Sequence, residues 1–165
     1  MVGKIFLGIL LLLVGIQLIR PTPNDSDDRT YDITTRYTVP DDVQHILAVA
    51  CNDCHSNKTT YPWYSNVQPV AWWLDDHIVD GKRHLNFSSF TNAPLAIQYH
   101  KLEEVVEVMD EREMPMKEYT YLGMHAEANL TDDQRQRLIQ WAKAQMDTLK
   151  ANYPADSLVR KPRRG

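Results

Sequence analysis

The chain has 165 residues, 43% of them hydrophobic and 24% charged, which is room for one domain with a modest core plus terminal segments. A formal charge of -4 and a pI near 5.8 argue against a nucleic-acid footprint, which would show as a basic excess or a Lys/Arg stripe.

Residues 5–19, "IFLGILLLLVGIQLI", hold no charged side chain, and counting from Val2 gives 18 positions if Lys4 snorkels to the interface. Spanning a bilayer takes about 20 apolar residues, with a lower limit near 17, so residues 1–20 are expected to form a short signal anchor. No A-x-A-like site follows in "QLIRPTPNDS", which favours an uncleaved anchor over a removed signal peptide. Lys4 and Arg20 flank the run on both sides, so the positive-inside signal is weak. Residues 21–40 are polar, contain three prolines and show little periodicity. They predict a flexible linker with a root-mean-square span of roughly 25 Å.

Residues 41–151 carry helical patterns. Asp41 and Asp42 open a segment with Val43, Ile46, Leu47 and Ala50 at helical spacing. The next, "PVAWWLDDHIVDG", begins with Pro69 in a first-turn position and is expected to stop at Gly81, with Val70, Trp73, Leu74, His77 and Ile78 on one face. A third, residues 93–111, carries Leu95, Leu102, Val105, Val106 and Met109. In the last, Thr131 and Gln134 form a capping box, Asp132 and Asp133 favour the positive helix end, and Leu138, Ile139, Ala142, Met146 and Leu149 make the apolar face. No stretch alternates with period two, so the fold class is all-α. Residues 152–165 end in the basic run "VRKPRRG", a solvated tail or a contact for anionic lipid or an acidic partner.

The most specific motif is "CNDCH". Cys51 and Cys54 are the only cysteines, and His55 follows the second directly. A structural zinc site needs a second ligand pair, and His77 and His84 stand seven apart rather than at the usual spacing. A thioredoxin-like dithiol belongs in a βαβ context, and a disulfide across two residues closes too short a loop to stabilise much. Covalent haem accounts for all three residues: the thiols form thioethers with the two vinyl groups, and the imidazole of His55 is the proximal iron ligand. Haem is attached to reduced cysteines on the exported side of bacterial membranes, so motif and anchor together predict an inner-membrane protein whose haem domain faces the periplasm.

Over residues 42–143 the chain resembles the small haem-binding domain family, with its C-x-x-C-H motif, among the cytochrome c-like proteins. The resemblance is carried by "CNDCHSNKTTYPWYSNVQPVAWWLDDHIVDGKRHLNFSSF", by "EMPMKEYTYLGMHAEANLT" and by the helix through "LIQWAK". The chain departs from the family pattern in three places. Lys82 stands between Gly81 and Arg83, Phe90 occupies a usual tryptophan position, and Met116 replaces a second proline. The resemblance implies a cytochrome c-like helical domain wrapped around one covalent haem c.

Met114, in the "EMPM" loop stiffened by Pro115, is the first candidate for sixth iron ligand; His77 is the alternative, followed by Met116, His84 or an open site. Lys82, Arg83 and His84 are candidate partners for the haem propionates, and Trp63, Tyr64, Trp72 and Trp73 are candidate walls of the pocket. Asn57, Asn86 and Asn129 each begin an N-x-S/T triplet. Function follows from the iron site: a membrane-tethered one-electron carrier between periplasmic redox partner proteins, rather than an enzyme. The alternatives are a haem sensor with an exchangeable sixth site and, lower, a peroxidase, for which no distal acid–base pair is recognisable.

Overall fold

The computed structural model describes residues 2–121 and 124–160. In chain order the α-helices are α1 (Val2–Ile16), α2 (Asp41–Ala50), α3 (Asn52–His55), α4 (Val70–His84), α5 (Leu95–Asp110), α6 (Lys117–Thr120) and α7 (Asp132–Asn152). Among the described residues there is no strand, only an isolated bridge between Asp25 and Lys58. The all-α expectation holds.

The core forms where apolar faces meet. The largest helix-to-helix contact joins α5 to α7, and α2 also packs on α7. Leu102, Val105 and Met109 from α5 meet Leu138, Ile139, Ala142 and Leu149 from α7, and Val43, Ile46 and Leu47 from α2 join them. The expected capping box starts α7: the Thr131 side chain accepts from the Gln134 N–H, and the Gln134 side chain accepts from the Thr131 N–H. Trp141, which sequence periodicity did not single out, is buried and donates its indole N–H to the Thr38 carbonyl at 2.9 Å. Two further sequence expectations need correction. Helix α4 continues past Gly81 to His84, and Val70 and Trp73 lie exposed rather than on its buried face.

Residues 21–40 are not a free linker. Ile33, Tyr37 and Val39 are buried in the same core as α5 and α7, and the Tyr37 hydroxyl donates to Gln98 at 2.6 Å. Gln98 is itself buried and donates to the carbonyl of Ala93. Nearer the motif, Asn24 donates to Ser56 and Thr59, and the Ser26 N–H donates to the Asn57 carbonyl. Polar composition hid three anchoring side chains, and hydrogen bonds to the domain replace the water that a linker would keep. Ile33→Ala is therefore expected to cost about 2–4 kcal/mol of unfolding free energy, measured by urea titration; an unchanged midpoint would restore the linker reading. The chain beyond α7 is also partly packed, with Leu158 in the core. Residues 161–165 of the basic tail lie outside the described residues.

No helix among the described residues is long and apolar enough to cross a membrane. Helix α1 ends at Ile16, about 22 Å from its start at 1.5 Å per residue, against a hydrocarbon core of about 30 Å. The expected 18-residue helix stops short because residues 17–19 tighten into i to i+3 turns and the Gln17 side chain turns to the domain, accepting from the Gln68 N–H at 2.9 Å. Side chains 2–15 of α1 are exposed all round.

Candidate functional site

The motif forms a single helical turn. Cys51 closes α2 and opens α3, with a backbone conformation (φ -130°, ψ -45°) that breaks the helix between them. The N–H groups of Cys54 and His55 both donate back to the Cys51 carbonyl, at 3.2 and 2.9 Å. Spacings of three and four residues in a helical turn put side chains on one face, so both thiols and the imidazole are presented together. Both cysteines are free. Burial pushes the Cys51 thiol up to about 12 and the Cys54 thiol up to about 11, with neighbouring Cys54 and Asp53 adding to the respective shifts. These are protonated thiols, unlike the low-pKa thiolates of redox dithiols. Among the described residues no group of three or more His, Cys, Asp or Glu side chains could hold a metal ion.

Helix α4 orients the histidine. Nδ1 of His55 lies 3.0 Å from the carbonyl oxygens of both Gly81 and Leu85. Carbonyls only accept, so Nδ1 carries the proton and Nε2 is left with its lone pair, the arrangement that prepares a histidine for a metal. Burial, partly offset by these two hydrogen bonds, holds the imidazole below its ordinary pKa and keeps it neutral. The close approach depends on Gly81: a Cβ there would lie 2.7 Å from the Cys54 carbonyl oxygen. Beyond the histidine, Asn57 accepts from the Asn86 side chain at 2.8 Å and donates its N–H to Ser88. This joins the "HSN" and "NFS" stretches into one hydrogen-bonded wall.

Two cavities adjoin the turn, of about 300 and 500 Å³. Cys51, His55, His84 and Met114 border both, whereas Cys54, His77, Met116 and Tyr119 border only the smaller. A third cavity, of about 460 Å³, lies between the 26–34 segment and α2, and neither cysteine nor His55 borders it. All four side chains considered as sixth ligand thus reach the smaller cavity. Met114 is distinguished by its support. Its side chain packs against the core, its N–H points to the Val108 carbonyl at 3.4 Å, and its carbonyl accepts from Arg135 Nη1 at 2.5 Å. His77 donates through Nδ1 to the Trp73 carbonyl at 2.7 Å, within its own helix.

Several expected site residues are placed elsewhere: Lys82 donates to Asn24, Trp72 and Trp73 are exposed, and none of the three borders either motif cavity. Trp63 is 80% exposed and borders neither motif cavity; it packs edge-on against Tyr64 at 5.9 Å. Arg83 is exposed, borders neither cavity, and pairs with Asp80 one helical turn earlier at 2.7 Å. A turn of α4 points Arg83 to solvent, where pairing with Asp80 keeps both charges hydrated. Three residues that the sequence did not mark complete the site. In the sequence Gly81 reads only as a helix stop, and Arg135 and Tyr119 carry no signal. Tyr119 donates to Asp53, between the two cysteines, at 2.7 Å, and stacks on His125 at 4.0 Å. Burial and the Asp53 carboxylate raise its pKa. Tyr64, expected as a wall of the pocket, borders neither motif cavity; its hydroxyl lies 2.7 Å from His125 Nε2.

The turn offers two free thiols and an imidazole with an unprotonated Nε2, and Met114 borders the same cavities. The family model described as a haem-binding domain matches residues 11–144. The chain belongs to that family. No curated protein and no solved structure matches it. The residues of this haem-binding protein fit the cofactor: His55 presents an unprotonated Nε2, Met114 a polarisable sulfur, and apolar side chains such as Leu85, Val105 and Leu138 line the larger cavity. The matched stretch begins inside α1 and includes residues 21–40, in keeping with their packing as part of the domain.

Proposed function

We propose that this haem-binding protein is a membrane-tethered c-type cytochrome that carries one electron between redox partner proteins in the bacterial periplasm. The observation that carries the reading is the His55 ring, held by two α4 carbonyls beside both free thiols. Haem supplies an iron couple that takes up and releases a single electron. Cys51 and Cys54 would hold it covalently, each S–H adding across one vinyl group, an addition that needs no external oxidant. His55, through Nε2, and Met114, through its sulfur, are the residues that would hold the iron. Arg135, bonded to the Met114 carbonyl, steadies the distal loop, and a thioether in that place raises the reduction potential above that of a bis-imidazole site. Tethering is assigned to α1, whose exposed apolar side chains need a lipid surround.

The test is to express the chain with a c-type haem maturation system, denature it fully and ask whether haem stays with the polypeptide. Retention is expected, with loss in the Cys51→Ala/Cys54→Ala variant. Release from the unmutated chain would sink covalent attachment. On the retained protein, Met114→Ala is expected to abolish the weak thioether-to-iron absorption of the ferric form and to lower the midpoint potential, whereas His77→Ala leaves both unchanged. Near-stoichiometric carbon monoxide binding to the reduced, unmutated protein would favour the sensor reading, in which the sixth site is exchangeable.

A further inference from the structure

The segment from Tyr61 to Leu74, "YPWYSNVQPVAWWL", has no charged residue in a chain that is 24% charged. Folding leaves much of its apolar surface uncovered: Trp63, Val67, Val70, Trp72 and Trp73 are all exposed. Solvent is a poor environment for the indoles of Trp63, Trp72 and Trp73, and apolar surface left exposed on this scale marks a binding surface. Its place in the fold identifies the partner. The same segment is hydrogen-bonded to the point where α1 ends: Gln68 and the Trp72 indole both donate to the Ile19 carbonyl, at 2.7 and 3.0 Å, and Arg20 donates to Asn66 at 3.2 Å. The aromatic patch therefore lies level with the exit of the exposed apolar helix.

We propose that this face is a bilayer-contact surface, with Trp63, Trp72 and Trp73 seated in the headgroup region of the membrane that α1 enters. Tryptophan favours that layer because its ring is apolar and its N–H finds polar partners there. Residues 17–20 form no free stalk, so the domain cannot swivel; it rests on the lipid in one orientation. Seating the face also suits a helix as short as α1, since a short apolar segment is matched when the flanking groups sink into the interface and the bilayer thins around it. The exposed side chains of the segment itself carry no charge, and the tie to the end of α1 selects lipid over a protein as the partner.

This inference rests on the membrane reading of α1, and one experiment separates the two. The full haem-loaded chain is reconstituted in phosphatidylcholine vesicles, floated on a density gradient, and its tryptophan emission compared in lipid brominated near the headgroup, brominated near the chain end, or unbrominated. Helix α1 contains no tryptophan, and the only other one, Trp141, is buried in the core. Headgroup-proximal bromine is expected to quench the emission by at least about twofold more than chain-end bromine, because the indoles sit in the interfacial layer. The Trp63→Phe/Trp73→Phe variant should lose most of that difference. Emission untouched by either bromine in vesicles that carry the protein would overturn the docked face, leave the anchor standing and give the patch to a protein partner or to water. Protein that fails to float would overturn both.

Discussion

The haem-free Cys51→Ala/Cys54→Ala chain is expected to be about 5 kcal/mol or more less stable than the haem-loaded protein, close to the whole stability of a typical domain. The reason is volume rather than the lost thiols. Cavities of about 300 and 500 Å³ flank the motif, and emptying a site of even one leucine's size costs about 3–5 kcal/mol where the walls cannot collapse. Here the walls resist collapse: α3 is hydrogen-bonded to α4 through His55, and Met114 is tied to α7 through Arg135. Urea titration followed by circular dichroism, on the variant and on unmutated chain made without haem, is the measurement. Both should unfold early and together. A variant as resistant as the loaded protein would mean that no large cofactor fills these spaces.

Gly81→Ala is expected to destabilise the loaded protein by about 1–3 kcal/mol, the usual cost of overpacking. The sign is informative, because Ala for Gly in an ordinary helix interior stabilises by about 0.5–1 kcal/mol. At Gly81 the added Cβ would lie 2.7 Å from the Cys54 carbonyl oxygen and 3.1 Å from the Cys54 Cβ, so α4 must retreat from α3. The Gly81 and Leu85 carbonyls that orient His55 retreat with it. The substitution should therefore alter the ferric absorption spectrum and midpoint potential as well as the unfolding midpoint. A stabilised protein with an unchanged spectrum would show that the two helices do not touch at this point.

The parts of the fold that were legible are those set by neighbours in the chain. Thr131 and Gln134 mark the start of α7 because capping is completed within one turn. The apolar residues of α2, α5 and α7 repeat at helical spacing and are buried accordingly. Legibility failed where composition and burial part company. Residues 21–40 are polar on average, yet Ile33, Tyr37 and Val39 enter the core. Gln98 is polar and buried because Tyr37 and Ala93 satisfy it, whereas Trp63 is aromatic and exposed.

The candidate site divides along the same line. The spacing of Cys51, Cys54 and His55 by itself determines that two thiols and an imidazole share a helical turn, since three- and four-residue offsets lie on one face whatever surrounds them. Tertiary structure alone decided the rest. Arg83 and Arg135 are equally basic in the sequence, but Arg83 faces solvent beside Asp80 while Arg135 holds the Met114 carbonyl. The ring nitrogen that His55 leaves free is chosen by carbonyls 26 and 30 residues further along the chain. A local motif can place an imidazole, but only hydrogen-bond partners brought from a distant helix can choose its tautomer and hold its plane.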